Sequence, residues 1–304
     1  MSAPPVSVGI TLPSRETAMT GRHDARGLVE FAKAAQEAGF DSVWAGDSLL
    51  ARTRAEPLSI LAAVAAVTDR VALGTAALIA PLRHPLLAAA QAATVDQLCG
   101  GRLILGLGSG APLPESRREF EAVGMPFAGR GARLDEAVTL WRQTWGGHGE
   151  FADALPAARS GGPPVWLAGG DTTKVIERVS TTYDGWLPYL PDVNAYERAW
   201  DRIRGQAVRD ITPALYATVN LNDDKARADE ELDEYVRAYY GQPLDVMRYV
   251  QAIRGGSVQE CLDWLARYVD AGARHLILRI GSLTAHPESV AEKLLPALKE
   301  LATP

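Results

Sequence analysis

The 304-residue chain has few of the features that mark membrane, secreted or nucleic-acid-binding proteins. Its two cysteines, Cys99 and Cys261, lie far apart, so we expect free thiols and a cytoplasmic location. No apolar run reaches the roughly 18 residues of a membrane span. The segment Met1–Pro5 lacks the basic start and apolar core of a signal peptide, and we expect none. The net charge of −6 gives no reason to expect nucleic acid or an anionic membrane as a partner.

The sequence also lacks the usual arrangements of reactive side chains. It has no neighbouring carboxylates placed for acid–base catalysis and no His or Cys cluster with metal-ligand spacing, so we expect no metal site. The segment Gly106–Gly110 places its serine in a different frame from the nucleophile motif of the serine hydrolases. This scarcity is typical of an enzyme in which a bound cofactor carries the reaction.

The stretch from Val71 to Gly110 contains a strand–helix–strand pattern. Two apolar runs, Val71 to Ile79 and Arg102 to Leu107, have the composition of strands buried on both faces. Between them, Pro85 begins a helix that ends before Gly100. This order is the unit of a parallel sheet. Each strand also ends in small residues, which leave the edge of the sheet open to a flat ligand.

The same alternation of strands and helices continues along the chain. The predicted strands are Val6 to Leu12, Ser42 to Ala45, Val71 to Ile79, Arg102 to Leu107, Val165 to Ala168, Asp184 to Pro188, Ala214 to Leu221 and His275 to Ile280. Eight such units predict a single (β/α)8 TIM-barrel domain over residues 1–304, with irregular insertions at 111–129 and 225–256. A doubly wound open sheet is the alternative, but it normally carries a glycine fingerprint after its first strand, where this chain has Leu12-Pro13-Ser14.

The carboxyl ends of barrel strands form the active site of a TIM barrel, and several candidates fall there. Asp47 is a candidate to accept a proton, or equally to cap the following loop. Trp186 is placed to stack on a planar ligand. The segment Gly169–Thr172 either exposes backbone amides to a phosphate or forms a tight turn in which Asp171 is the helix N-cap.

Several motifs resemble the luciferase-like monooxygenase superfamily of FMN- and F420-dependent oxidoreductases. The main ones are Leu73–Ala77, His84-Pro85, Asp96–Leu98, Gly100–Leu103 and Gly106–Gly110. The resemblance covers nearly the whole chain. It implies a TIM barrel that uses reduced FMN or the 5-deazaflavin coenzyme F420.

The resemblance also implies where the cofactor binds. Members typically hold the ring against a non-proline cis peptide bond at the end of the third strand, here Ala76-Ala77. The further cofactor-binding residues that it implies are Gly108 at the ring, Ser109 and Gly110 at the ribityl chain, and Gly169, Gly170, Asp171 and Thr172 at the phosphate. Many relatives carry His after the Asp of the second strand, where this chain has Asp47-Ser48. Asp47, with Ser48, is therefore our substitute for the acid–base residue, and a substrate group or a bound water is the alternative.

The long acidic tail of F420 calls for basic residues along its exit. Arg52, Arg54, Arg117 and Arg118 lie on predicted loops of the appropriate face, but we interpret them as solvated surface charges. The leading prediction is a monooxygenase that uses reduced FMN and oxygen on a small organic substrate, served by a separate flavin reductase. The alternatives are an F420-dependent reductase or dehydrogenase that transfers hydride, and a non-catalytic ligand-binding barrel. A homodimer, common in similar proteins, is the expected assembly.

Overall fold

The computed structural model describes residues 5–283 and 286–301. Residues 1–4, which include most of the segment tested above for a signal peptide, lie outside the described residues. The strands are β1 (Ser7–Thr11), β2 (Ser42–Ala45), β3 (Ala72–Thr75), β4 (Leu78–Ile79), β5 (Leu103–Gly108), β6 (Val165–Ala168), β7 (Gly185–Leu187), β8 (Thr212–Leu221), β9 (Ile253–Gly256) and β10 (His275–Ile280). All of their pairings are parallel.

Eight of these strands close into a barrel. The ring runs from β1 through β2, β3, β5, β6, β7 and β8 to β10, which pairs with β1. The closing register aligns Ser7 with His275 on one side of β10 and Ala214 with His275 on the other. The predicted (β/α)8 TIM barrel is therefore confirmed. The two remaining strands are short additions at its edge: β4 pairs with β5, and β9 pairs with the end of β8.

The helices surround this barrel. They are α1 (Ser14–Met19), α2 (Ala25–Glu37), α3 (Pro57–Ala65), α4 (Pro85–Leu98), α5 (Pro114–Ala122), α6 (Arg130–Trp145), α7 (Thr173–Thr182), α8 (Val193–Gln206), α9 (Lys225–Tyr240), α10 (Leu244–Met247), α11 (Val258–Asp270), α12 (Pro287–Ala291) and α13 (Leu295–Glu300). No helix in the described ranges is long and apolar enough to span a membrane.

Two differences from the predicted elements have clear causes. The insertion at 111–129 contains a helix, α5, which begins at Pro114 and has a mostly charged sequence with little apolar periodicity. The apolar spacing at Val290, Leu294, Leu298 and Leu301 predicts one closing helix over Pro287 to Leu301, but the structure has two helices there, α12 and α13. Pro296 lies in the first turn of α13 and has no N–H to continue a helix from α12, so the chain starts a new helix there.

Aromatic rings fill the interior of the barrel below its open end. Trp44 and Trp166 lie with ring centroids 5.4 Å apart, and His275 packs edge-on against both. Glycines on neighbouring strands make this possible, since a Cβ at Gly74 would lie 2.1 Å from the Trp44 ring and one at Gly185 would lie 2.4 Å from Trp166. The interior is thus a packed core rather than a channel.

His275 is held neutral in this core. The Ser42 hydroxyl accepts a hydrogen bond from Trp44 Nε1 (2.7 Å) and lies 2.8 Å from His275 Nε2. Burial disfavours the charged imidazolium and lowers the pKa of His275 to about 4. A neutral imidazole that accepts a hydrogen bond from the Ser42 hydroxyl fits this pKa, and the hydroxyl then both donates and accepts one hydrogen bond.

A second, smaller core lies beside the barrel. It is formed by α9, α10 and β9 and contains Leu232, Tyr235, Val236, Tyr239, Leu244, Met247 and Ile253. β8 has ten residues, and it pairs with β10 through residues 214–219. Its last four residues, 218–221, pair with β9. The chain region predicted as an irregular insertion therefore forms a compact unit on an extension of the sheet.

Candidate active site

A cavity of about 190 Å³ opens at the carboxyl ends of the barrel strands. Its lining falls into two walls of different chemistry. We call Ala76, Ala77 and Ala168, together with the neighbouring Gly108, the small-residue wall. We call Arg54, Tyr216, Tyr239, Tyr240 and Arg279 the arginine–tyrosine wall. Asp47, Arg52, Leu187, Tyr189 and Gln251 complete the lining.

The small-residue wall contains the cis peptide bond that the family resemblance implied. The bond between Ala76 and Ala77 is cis and follows β3 directly. It separates β3 from β4, which explains why the predicted strand Val71 to Ile79 is interrupted. Ala77 also faces Gly108, at the end of β5, because a Cβ added to that glycine would lie 3.5 Å from the Ala77 Cβ.

The three glycines of β5 and its following loop have different reasons to be glycine. A Cβ at Gly106 would lie 2.1 Å from the carbonyl oxygen of Thr75, so the packing of β5 against β3 requires glycine there. Gly110 has a φ of 90°, which disfavours other residues. Gly106 and Gly110 are therefore required by the fold itself. Gly108 alone of the three would place a Cβ at an ordinary contact distance, 3.5 Å from the Ala77 Cβ.

Asp47 lines the cavity but is firmly bound within the protein. Its side chain is only 5% exposed and pairs with both terminal nitrogens of Arg83, at 2.6 and 3.2 Å. The same carboxylate accepts the backbone N–H of Ile79 (2.8 Å), just after the cis bond. These contacts make Asp47 a positioning residue for the loop that carries Ala76 and Ala77, and its proposed role in proton transfer stays a prediction.

Ser48 is bound to a buried carboxylate that the sequence analysis missed. Its hydroxyl donates to Glu119 Oε1 (2.8 Å) and accepts the N–H of Arg52 (2.9 Å). Glu119 also accepts the backbone N–H groups of Leu50 and Ala51. Burial alone would raise the pKa of Glu119, but these donors lower it overall, so the carboxylate stays ionised. No periodic signal in α5 identified this residue.

Arg279 is the centre of the arginine–tyrosine wall. It is 3% exposed and lies near the end of β10. Its Nε and Nη2 donate to Thr218 Oγ1 at 3.0 and 2.8 Å, and Nη1 donates to the Tyr240 hydroxyl at 2.5 Å. Four tyrosine rings surround the guanidinium at 4.5 to 5.6 Å, those of Tyr216, Tyr235, Tyr239 and Tyr240. Such contacts stabilise a buried cation.

Two arginines of the loop after β2 also reach the cavity. Arg54 is half-buried and donates through Nη2 to the Tyr239 hydroxyl at 2.9 Å. The guanidinium of Arg52 lies 4.8 Å from the centre of the Tyr240 ring. The interpretation of both as solvated surface charges is therefore wrong. Arg117 and Arg118, on α5, are exposed, as predicted.

The segment Gly169–Thr172 follows β6, next to Ala168 of the cavity wall. Thr172, not Asp171, is the N-cap of α7, and its hydroxyl accepts the N–H of Val175. Asp171 is exposed. The structure thus corrects the predicted N-cap, while the binding of a phosphate by this segment stays a prediction.

Trp186 does not face the cavity. It is fully buried between the barrel and α8, where its ring lies 4.9 Å from that of Tyr196. Its Nε1 donates to the carbonyl of Gly169 (3.1 Å). The prediction that Trp186 stacks on a planar ligand is wrong, because side chains alternate along β7 and the neighbouring Leu187 points into the barrel instead.

The sequence and the fold of this chain are similar to those of known enzymes. The family model described as luciferase-like monooxygenase matches residues 6–300. An F420-dependent glucose-6-phosphate dehydrogenase of Amycolatopsis mediterranei is 30% identical, over 83% of this chain and 87% of that protein.

Two solved structures share the fold at low identity. The coenzyme F420-dependent tetrahydromethanopterin reductase of Methanopyrus kandleri has a TM-score of 0.76 and 18% identity, over 97% of this chain and 100% of that chain. The oxygenating constituent of the 3,6-diketocamphane monooxygenase of Pseudomonas putida, solved with FMN, has a TM-score of 0.72 and 17% identity, over 99% and 98%.

Proposed function

Because this chain belongs to the luciferase-like monooxygenase family, we propose that it is an oxidoreductase in which coenzyme F420 exchanges hydride with a small organic substrate. The relative from Amycolatopsis mediterranei, similar over most of both chains, is named for dependence on F420. This order reverses the one drawn from the sequence, where an FMN monooxygenase came first. The FMN enzyme remains the second candidate, since a structure solved with FMN shares the fold.

The observation that carries the proposal is the small-residue wall. Ala76, Ala77 and Ala168 line the cavity with backbone and methyl groups, and Gly108 lies next to Ala77. A flat ring needs such a surface. We propose that these residues hold the deazaflavin ring, that Ser109 and Gly110 lie at the ribityl chain, and that the segment Gly169–Thr172 binds the phosphate.

When bound, F420 supplies the hydride acceptor or donor, and the chain supplies position and shielding. Asp47 and Arg83 fix the loop that carries the cis bond, through the N–H of Ile79. Ser48 and Glu119 fix the loop after β2. We keep Asp47 and Ser48 as the proposed proton-handling pair. The tyrosine hydroxyls of the opposite wall are the other proton-bearing groups around the cavity.

Separate titrations of the purified chain with F420 and with reduced FMN test the proposal. We expect saturable F420 binding, and no oxygen uptake above background with FMN. FMN binding accompanied by oxygen uptake, without F420 binding, would select the monooxygenase. Binding of neither cofactor would leave the non-catalytic ligand-binding barrel as the function.

The remaining predictions concern organisation rather than chemistry. We propose that residues 1–304 act as one barrel domain on a small-molecule substrate. The homodimer and the cytoplasmic location stay predictions. A separate flavin reductase is required only by the FMN alternative.

A further inference from the structure

The guanidinium of Arg279 is a buried cation without an acidic partner. In residues 5–283 and 286–301, no carboxylate oxygen lies within 4.0 Å of it. Its contacts are neutral: the hydroxyls of Thr218 and Tyr240, the side-chain carbonyl of Gln251, and tyrosine rings. A buried charge without a counter-ion is costly, and natural proteins usually pair it or use it.

Asp47 is the carboxylate that lines the cavity, and it is paired with Arg83. Glu16 lies behind the wall, where it is buried, accepts a hydrogen bond from the Tyr235 hydroxyl and interacts electrostatically with Arg54. Four guanidinium groups lie against the tyrosine rings at this place, those of Arg15, Arg52, Arg54 and Arg279. Because the arginines outnumber the carboxylates, the wall carries an excess of positive charge.

Arg54 adds a second cation at the same place. Its guanidinium lies 5.9 Å from the centre of the Tyr239 ring, and that of Arg279 lies 4.5 Å from the same centre. No ion pair of Arg54 occurs within the described part of the chain. The guanidinium of Arg15 lies 4.9 Å from the same centre, so three arginines approach one tyrosine, and Arg54 and Arg279 line the cavity. Like charges this close repel unless an anion lies between them or next to them.

The hydrogen-bond geometry leaves capacity for a ligand. Arg279 uses Nε and Nη2 on Thr218 and Gln251, and one N–H of Nη1 on Tyr240. The second N–H of Nη1 is left for an acceptor. A charged N–H donor forms a strong hydrogen bond to a carboxylate or phosphate oxygen.

We propose that the arginine–tyrosine wall binds an anionic group of the substrate, a carboxylate or a phosphate, with Arg279 and Arg54 as the residues that select it. The inference rests on the proposed function, because the small-residue wall must be occupied by the cofactor for the opposite wall to face the substrate. The class of substrate is then a small organic anion whose reacting carbon points toward Ala76 and Ala77. The excess positive charge of the wall disfavours cationic substrates.

Calorimetric titration with inorganic phosphate and, separately, with acetate tests the proposal at constant ionic strength. We expect the wild-type chain to bind at least one of the two anions, which identifies the group. Arg279→Gln should weaken that binding at least tenfold, and Arg54→Gln several-fold. The matched control is Arg204→Gln on α8, an exposed arginine paired with Asp201, and its affinity should equal that of the wild type.

Three results would overturn the proposal. The first is no binding of either anion by the wild-type chain, and the second is an equal loss in the Arg204→Gln control. The third is unchanged anion affinity in Arg54→Gln. Because Arg54 is only half-buried, this variant also tests the proposal if Arg279→Gln does not fold.

A parallel F420 titration of the same variants separates this inference from the proposed function. Unchanged F420 affinity in Arg279→Gln supports assignment of the anion site to the substrate. Lost F420 affinity would assign the site to the cofactor and overturn this inference. If the wild-type chain binds anions through Arg279 but does not bind F420, the proposed function fails while the anion site stands.

Discussion

The two walls of the cavity are built in opposite ways. The small-residue wall exposes backbone at the ends of β3, β5 and β6, all within the closed barrel. The arginine–tyrosine wall is made of large side chains, and two of them, Tyr239 and Tyr240, come from α9 outside the barrel. The small-residue wall is suited to hold a flat cofactor ring, and the arginine–tyrosine wall is suited to select a substrate by its charge. The small strand-end residues that the sequence analysis singled out therefore border only one side of the cavity.

The strongest test of this comparison fills the small-residue wall. Gly108→Leu places a branched side chain where the ring is proposed to lie, while the structure around Gly108 has room for the first carbon. We expect F420 affinity to fall at least about a thousandfold, or about 4 kcal/mol, with the unfolding midpoint nearly unchanged. Gly205→Leu, at an open position on α8, is the matched control and should bind normally. Normal affinity in Gly108→Leu would contradict the placement of the ring.

The next test concerns the aromatic core inside the barrel, which lies below the cavity. The folded-state pKa of His275 is lowered to about 4, whereas the unfolded chain protonates near pH 6.5. The unfolded state therefore binds more protons between these values, and stability is lost as the pH falls from 6.5 to about 4, by roughly 3 kcal/mol. Urea unfolding at several pH values measures this loss.

His275→Gln should flatten the pH dependence, because glutamine does not titrate. The control is His84→Gln, which changes an exposed histidine at the start of α4 and should keep the wild-type slope. A wild-type chain whose stability does not change over this pH window would refute the neutral, buried imidazole.

A smaller effect is expected from the ion pair that supports the small-residue wall. Arg83→Gln leaves the Asp47 carboxylate, 5% exposed, without its partner. We expect a loss of about 2 kcal/mol, below the range for fully buried pairs because Arg83 is partly exposed. Urea unfolding measures it. Arg70→Gln, which breaks an exposed pair with Asp69, should cost less than about 0.5 kcal/mol. Equal losses in the two variants would show that Asp47 does not depend on Arg83.

The smallest effect should come from the edge of the arginine–tyrosine wall. Arg52 contacts Tyr240 only through its ring, at 4.8 Å, and is partly exposed. Arg52→Gln should weaken anion binding by about 0.5 kcal/mol, roughly twofold. A loss as large as that of Arg279→Gln would move the centre of the anion site toward the loop after β2.

The barrel itself could be predicted from the sequence because its strands are buried on both faces. Such strands are continuous apolar runs with glycine or proline at their ends, and β2, β6 and β10 begin and end where the pattern indicates. β9 was missed, because Ile253–Gly256 has two glycines among four residues and pairs only with the extension of β8.

The small-residue wall could also be anticipated, since its residues are alanine and glycine at strand ends. The opposite wall was open to two interpretations. The sequence allows Tyr239 and Tyr240 to lie over the mouth of the barrel, but amphipathic packing of a helix explains them as well. Arg279 lies near the end of the predicted strand His275 to Ile280, but its lack of an acidic partner depends on the distances between distant segments.

The small core formed by α9, α10 and β9 bears on how this enzyme evolves. It is separate from the main core and is attached to the last residues of β8. A substitution in this small core should shift Tyr239 and Tyr240 without leaving a cavity inside the barrel. Mutations that change substrate selectivity should therefore destabilise the barrel little. Natural variation in substrate preference should therefore accumulate in this small core. Its backbone amides should also exchange with solvent faster than those of the barrel strands.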